Sequence, residues 1–365
     1  MEYTLSELRE QVMTARASQR ALHIRGGGTK DFYGEPAAGV SELATLDLSD
    51  YKGVINYQPS ELVITARAGT LLSEIEETLA EHRQMLAFEP PRFGAGSTLG
   101  GCIASGLSGP RRMAAGSVRD FVLGTALLDS SGTVLKFGGE VMKNVAGYDM
   151  SRVLAGSMGI FGALLEVSVK VAPKPFEEVT QTFELEEDDA LDQLRQWRSL
   201  PLPISATAWC ASDSGPSGLL HVRLSGSEPA VASGSKRIGG QSLATPEAEA
   251  LWDSLRDQTH PFFDARPLWR VAVPANTPAL GLGSTLIEWG GGLRWIAQPE
   301  LDPTILRARV ASAKGHATLY RYTSKASGLP VFHPLEPGVM DINRRLKQAM
   351  DPVAIFNPKR LFTEF

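Results

Sequence analysis

The sequence predicts an α+β chain made of two differently built parts, and three observations carry that expectation. Fifteen of its 36 glycines fall between Gly94 and Gly162, interspersed with Val, Leu and Ile rather than with Ser and Gln. Such a stretch is a set of turns between short apolar runs and not a flexible linker. Pro173-Lys-Pro175 then breaks the chain directly after an apolar run. Beyond that break the composition changes, and all six tryptophans lie between Trp197 and Trp295. The simplest packing for that second part is a mixed antiparallel sheet with helices on one face.

The elements follow from spacing. Residues 4–19 read as a helix with Leu5, Leu8, Val12 and Ala15 on one face. Strands are expected at Ala21–Arg25, Leu43–Asp47, Gly53–Tyr57 and Glu61–Ala66. Thr70 is placed to cap a helix running through Leu79, with Glu74, Glu76 and Glu77 early in it. In the glycine-rich segment, strands are expected around Asp120–Asp129, Val134–Phe137 and Gly162–Val171, with a helical turn at Ser151–Leu154. Beyond the break, Gly218–Ser225 and Trp269–Val273 read as strands, and Pro246–Gln258 and Pro303–Ala313 as helices. Ser212–Ser217 and Ser225–Gly240 are rich in Gly, Ser and Pro and read as loops. Val339–Met350 reads as a final helix carrying Met340, Arg344, Arg345 and Lys347.

Composition bounds the function. The chain has 365 residues, 43% of them hydrophobic and 21% charged, with a formal net charge of −5. That is an ordinary globular balance with no basic stripe, which argues against nucleic acid as a partner. Cys102 and Cys210 are the two cysteines. Two thiols hold neither a structural zinc site nor an iron–sulfur cluster, so no metal is expected, and so few in a long chain fit a reducing compartment. The N-terminal segment is amphipathic and acidic without an apolar core, and no run of about 18 apolar residues occurs. The expectation is a cytoplasmic protein with no transmembrane segment, which reaches a membrane only through a complex.

Several glycine loops follow one another. A strand enters Arg25-Gly26-Gly27-Gly28-Thr29-Lys30. Three successive glycines expose several backbone N–H groups in one concave turn, a nest that binds phosphate oxygens without a charged side chain. Gly94-Ala-Gly-Ser97-Thr98-Leu99-Gly100-Gly101 repeats the pattern, with two hydroxyls as added donors. Gly116-Ser117-Val-Arg-Asp120, Lys143–Asp149 and Gly156-Ser-Met-Gly159-Ile-Phe-Gly162 follow. Neither Gly-x-Gly-x-x-Gly nor Gly-x4-Gly-Lys-[Ser/Thr] is present, so the chain carries neither the Rossmann fingerprint nor a P-loop. Taken singly each loop is equally an ordinary turn; five in this order point to a large, flat, phosphate-bearing cofactor.

The succession RGGGTK, YxPxELVITARAGT, FGxGSTLGG, GSVRDFVLG, KNVAGYD and GSMGIFG resembles the FAD domain of the vanillyl-alcohol oxidase (PCMH-type) family. Within it, SGPRR at Ser108–Arg112, KFGGEVMKNVAGYD at Lys136–Asp149, EWGGGLRW at Glu288–Trp295 and the C-terminal IFNPKRL resemble the smaller FAD-binding (E) subunits of bacterial glycolate oxidases. The resemblance is strong over residues 20–174 and 340–365 and looser between. It implies two α/β subdomains gripping FAD within 1–174, a cap over 175–338, and a tail, 339–365, that returns to the flavin domain. The implied cofactor contacts are Arg25, Gly26, Gly27, Gly28, Thr29, Gly94, Ser97, Thr98, Leu99, Gly100, Gly101, Gly116, Ser117, Asp120, Gly156, Gly159, Gly162 and Asn357. Members with covalent flavin carry a His in the first loop; here that loop ends in Gly28-Thr29, which implies noncovalent FAD.

The implied reaction oxidises a small 2-hydroxy acid, glycolate to glyoxylate. Its partners would be a larger FAD-containing glycolate oxidase subunit and an iron–sulfur subunit that takes the electrons. Such chemistry needs a base for the hydroxyl proton and a cation for the carboxylate. The family's His-x-Gly-Asp-Gly-Asn-x-His stretch is absent from this chain. His316 and His333 are left as bases, and Arg294 and Arg321 as carboxylate holders; for each, a structural role is the alternative. Two other functions stay open: a flavin-bearing relay or structural subunit without turnover, and a stand-alone oxidase of another hydroxy acid or alcohol. Trp289 and Trp295 flank a triple glycine and read either as buried core or as a surface over the flavin or a partner.

Overall fold

The apolar stripe of the N-terminal segment makes Glu2–Ser18 a helix that buries Leu8, Val12 and Ala15. Its partners are Leu22, Leu46 and Leu48, the sheet residues Ala126, Leu128, Ala163 and Leu165, and Ile355 and Phe356 from the far end of the chain. Both termini thus share one core. A computed structural model describes residues 2–36, 43–139, 149–212 and 217–365. They divide into one unit of 1–107, 117–173 and 334–365, and a second of 108–116 and 174–333.

The first unit holds a five-stranded antiparallel sheet in the spatial order Val54–Gln58, Val63–Arg67, Ala163–Lys170, Val122–Leu128, Val134–Gly138. Strand Ala163–Lys170 is central and reads as a nearly continuous apolar run because both its faces are covered. A separate parallel pair, Leu22–Arg25 with Ala44–Asp47, leads into the first glycine loop. The tail extends that pair. Leu22 N donates to Ile355 O at 2.7 Å, and Asn357 N donates to Leu22 O at 2.9 Å.

The second unit is an eight-stranded sheet in which every described pairing is antiparallel. One face buries Trp209, Leu220, Ile287, Val271 and Ala317 beneath helices Glu187–Arg198, Glu228–Ile238 and Pro303–Ser312. Helix Thr245–Asp257 lies on the other face, where Trp252 Nε1 donates to Thr180 Oγ1 at 2.9 Å. Helices on a single face were expected; the sheet carries them on both. Ser108–Gly116 belongs with this unit although it lies inside the sequence of the first: Trp289 Nε1 donates to Gly109 O at 3.0 Å.

Other local expectations change. Thr70 does not cap the following helix, Leu72–Ala80; its hydroxyl instead accepts from Gly53 N at 2.9 Å. Glu228–Ile238, expected as loop, is a helix with Pro229 in its first turn that turns Val231 and Gly234 inward. Asp120 lies in a short helix, Val118–Phe121, before strand Val122–Leu128 begins. Most of the KNVAGYD motif falls in 140–148, and part of the Ser212–Ser217 loop in 213–216; both lie outside the described residues.

Candidate functional site

The parallel pair ends where the first glycine loop begins, so the loop Arg25–Lys30 emerges at the edge of a rigid element. Gly28 has φ +70°, a left-handed conformation that Gly adopts without steric cost. Gly27 has a different constraint: a Cβ there would fall 1.6 Å from Gly96 O. The two glycine loops therefore touch backbone to backbone, and only the missing side chain permits it. The second loop continues as helix Leu99–Ser105, capped by Thr98, whose hydroxyl accepts from Gly101 N at 3.2 Å. Gly100 N donates to Ala68 O at 2.8 Å, pressing this helix onto the sheet.

Between these parts lies a cavity of about 110 Å³. Of the residues expected at a site, Arg25, Gly26, Gly27, Gly28, Thr29, Thr98, Gly100, Gly101, Gly159, Gly162 and Asn357 line it. Gly94, Ser97, Leu99, Gly116, Ser117, Asp120 and Gly156 do not. Leu99 is core, and Ser117 with Asp120 forms a capping box, its backbone and hydroxyl donating to Asp120 Oδ2 at 2.8 and 2.7 Å. Gly116 belongs to the second unit. Gly156 packs on the helix of the second loop, donating to Ile103 O at 2.9 Å. Ser97 sits one step behind the wall and accepts from Lys30 Nζ at 2.7 Å.

Sequence reasoning did not single out Lys30, Arg360 or His23, which also line the cavity. Lys30 ends the RGGGTK motif and Arg360 lies inside IFNPKRL, so both sit within the glycine-loop and tail signals. Arg360 donates to Asp31 O at 2.8 Å and Glu35 O at 3.1 Å, holding the stretch after the loop. Asn357 binds both sides of the wall, accepting from Ile24 N at 2.8 Å and donating to Met158 O at 2.7 Å. Burial, more than the charges of Arg360 and Arg25, lowers the pKa of His23, while Asp31 opposes them. The tail itself is anchored by Lys347, whose ammonium donates to Ile160 O, Asp351 and Phe356 O at 2.6, 2.7 and 3.0 Å.

The lining suits an anionic, phosphate-bearing group. Arg25, Lys30 and Arg360 contribute positive charge, and the carboxylate among them, Asp31, is already paired with Arg25 at 3.1 Å. Among the described residues, no hydrogen bond is donated by the backbone N–H groups of Gly27, Gly28 or Thr29. Donors left open in a concave glycine turn are what phosphate oxygens require. The volume is below the roughly 300–1,000 Å³ of whole-ligand pockets, so it matches the charged segment of a dinucleotide rather than all of one. Cys102, behind the second loop, is a buried free thiol pushed up to about 12, first by burial, which favours its protonated form.

The second unit redistributes the expected catalytic groups. Arg294 is fully buried; it donates to Gly291 O and Thr277 O at 2.8 Å and faces Glu187 at 3.6 Å. Burial lowers it to about 10. Arg321 donates to Phe263 O at 3.0 Å and to Gln258 at 3.2 Å. Both arginines thus bind backbone carbonyls of their own unit. His333 Nδ1 accepts from Ala317 N at 3.4 Å, and His316 is exposed at a strand end. Trp289 and Trp295 are buried core. Among the described residues, no group of His, Cys, Asp and Glu is placed to hold a metal, and no helix is long and apolar enough to cross a membrane.

Comparison with known proteins gives a consistent set. A family model described as an FAD binding domain matches residues 4–138. The chain is 42% identical over 359 residues to the glycolate oxidase subunit GlcE of Escherichia coli (strain K12), covering 98% of this chain and 97% of that one. It is 29% identical over 137 residues to the mitochondrial D-lactate dehydrogenase [cytochrome] 1 of Saccharomyces cerevisiae, covering 37% of this chain and 23% of the relative. An alkyldihydroxyacetonephosphate synthase structure superposes with a TM-score of 0.68 at 17% identity, covering 98% of this chain and 76% of that one, a likeness of fold.

Proposed function

We propose that this chain, which belongs to the GlcE family of glycolate oxidase subunits, is the FAD-binding subunit of a complex that oxidises glycolate or a close 2-hydroxy acid. The observation that carries this is the meeting of the two glycine loops and the tail around one cationic cavity. Arg25, Gly26–Thr29, Lys30, Thr98, Gly100, Gly101, Asn357 and Arg360 are proposed to hold FAD there without a covalent bond. When bound, FAD supplies the acceptor for the two electrons lost as the alcohol carbon becomes a carbonyl. The protein's share is to bind and orient: backbone donors and the Lys30 and Arg360 cations hold phosphate oxygens, and the tail keeps the first loop in place.

The electrons then pass to a partner, because two free thiols, one of them buried, make no second redox centre. A larger flavoprotein subunit and an iron–sulfur subunit are the proposed partners. A relay role without turnover is the second reading, and one observation favours it: Arg294 and Arg321 both donate to backbone carbonyls inside the fold. The test is anaerobic reduction of the purified holoprotein with glycolate and with D-lactate, repeated with the partner subunits added. Bleaching of the flavin in the complex is expected. A chain that never takes up FAD overturns the reading, and reduction of its flavin by the partners alone, never by substrate in the isolated chain, establishes the relay form.

A further inference from the structure

Strand Leu22–Arg25 sorts its side chains by alternation. Leu22 enters the core shared by the two termini, and Leu46 of the neighbouring strand enters it too. The register pairs His23 with Thr45 and Arg25 with Asp47, so these four lie on the other face of the strand pair. The strand's second edge meets the tail, where Leu22 bridges Phe356 in parallel. His23 and Arg25 from the strand, Lys30 and Asp31 from the loop, and Asn357 and Arg360 from the tail all line the cavity. Among the described residues, His23 is the one histidine in that lining.

The His23 ring has no partner of its own inside the fold. Among the described residues, neither of its nitrogens takes part in a hydrogen bond or an ion pair. Three charges act on it: Asp31 favours the protonated ring, and Arg360 and Arg25 oppose it. Asp31 is itself paired with Arg25 at 3.1 Å, and Lys30 adds a further cation to the lining. Two other carboxylates lie nearby but outside the lining. Asp47 stands opposite Arg25 in the strand register and accepts from Ser49 N at 2.8 Å, and Glu35 follows the loop, its N–H on Arg360 O at 3.0 Å.

Burial first, then the charges of Arg360 and Arg25, holds the imidazole below its ordinary value, so the ring of the empty site is neutral near neutral pH. An anion in the cavity reverses that balance. Negative charge beside the ring favours the imidazolium, which donates from either nitrogen to an oxygen within reach. A diphosphate that bridges two sugars keeps its charge throughout the range in which an imidazole titrates, so a proton taken up on binding goes to the protein.

We propose that His23 is a proton-linked ligand of the diphosphate segment of FAD: binding draws one proton onto the ring, and the ring then donates to a phosphate oxygen. This rests on the FAD reading above and adds a pH dependence to it. Where the ring of the empty site is already protonated, affinity is at its highest. As pH rises from that value to the higher one of the occupied site, affinity falls, and beyond it the ring is neutral in both states and affinity stays low.

Flavin released on dilution of the purified holoprotein, followed by the return of free-flavin fluorescence, gives the dissociation constant of FAD from about pH 6 to about pH 8. Wild-type affinity is expected to fall about tenfold across that range. Binding heats compared in two buffers of different ionisation enthalpy are expected to show a proton taken up with FAD. His23→Gln keeps a hydrogen-bonding side chain that does not titrate, and is expected to bind at the weaker, high-pH level throughout. Should His23→Gln fail to fold, Asp31→Asn serves: it removes the negative charge that favours the protonated ring and is expected to move the midpoint to lower pH. A ring that only packs would leave the wild-type profile level. A level profile in the wild type, the wild-type profile kept in a flavin-binding His23→Gln protein, or an unmoved midpoint in Asp31→Asn overturns the proposal. A wild-type chain that binds no FAD at any pH strikes instead the reading on which it rests, so the two failures separate.

Discussion

Single residues decide whether the cavity exists, and they do so through absent side chains. Gly27 and Gly100 are not left-handed; their need for glycine is close approach. A Cβ at Gly27 strikes Gly96 O, and one at Gly100 comes 2.7 Å from Ala68 Cβ. Gly27→Ala would push the two loops apart and Gly100→Val would lift the capped helix off the sheet. Overpacking of this kind costs about 1–3 kcal/mol. Both proteins are expected to purify with flavin retention reduced about tenfold or more. Gly338→Ala, with nothing within 4 Å of the new carbon, is expected to keep its full complement. Absorbance at the flavin band against protein concentration checks this; full flavin in both loop variants would mean the loops are turns and nothing more.

At the scale of elements, the C-terminal segment acts on the cavity as a clamp. Helix Pro337–Met350 buries a single residue, Lys347, and that residue ties the tail to the first unit through three acceptors. Lys347→Met would leave Asp351 buried without its cation, a loss of about 3–5 kcal/mol. Lys347→Met/Asp351→Asn is expected to recover part of that in thermal unfolding, since an amide oxygen still accepts from Phe356 N. Arg360→Ala removes hydrogen bonds to the loop and leaves the core intact. Weaker FAD binding, by about tenfold, with little change in melting temperature is the expected result.

The second unit carries its own pH dependence. Burial, with a smaller contribution from His260, lowers His221 to about 4. Because the folded value lies below the ordinary one near 6.5, the unfolded chain binds the proton first. Stability should therefore be complete above pH 6.5 and fall as pH drops toward 4. Melting curves across that range are expected to show the loss, and His221→Gln is expected to flatten it; an unchanged slope in that variant would rule His221 out as the cause.

For the whole molecule, the expected properties are a dissociable flavin and a hetero-complex. Acid precipitation should leave the yellow colour in the supernatant. His23 is the histidine lining the cavity, so colour retained in the pellet would be lost again in His23→Ala if that ring were the attachment point. Much of this was legible locally. Glycines between apolar runs mark tight turns wherever they fall, because φ preference and the lack of a Cβ are properties of the residue itself. The amphipathic N-terminal helix, the strands Ala163–Lys170 and Ser217–Gly226, and the loop at Arg25–Thr29 all follow from that kind of signal. Glu228–Ile238 was hidden because its Gly, Ser and Pro content outweighs its one buried stripe in any local reading, whereas packing on the sheet pays for the helix. Lys347 and Arg360 look like surface charges in sequence; only a fold that brings the last twenty residues against the first loop turns them inward. Likewise the sequence by itself determined that a glycine-lined, phosphate-sized nest was available, and it named Arg294 and Arg321 as cations. Tertiary structure alone decided that those two bind carbonyls of their own unit and that Arg112 and Arg270, distant along the chain, both lie over one indole. The reason is physical: turn geometry is set by neighbours in sequence, whereas the partner of a charge is set by strand register and by which face of the sheet the register exposes.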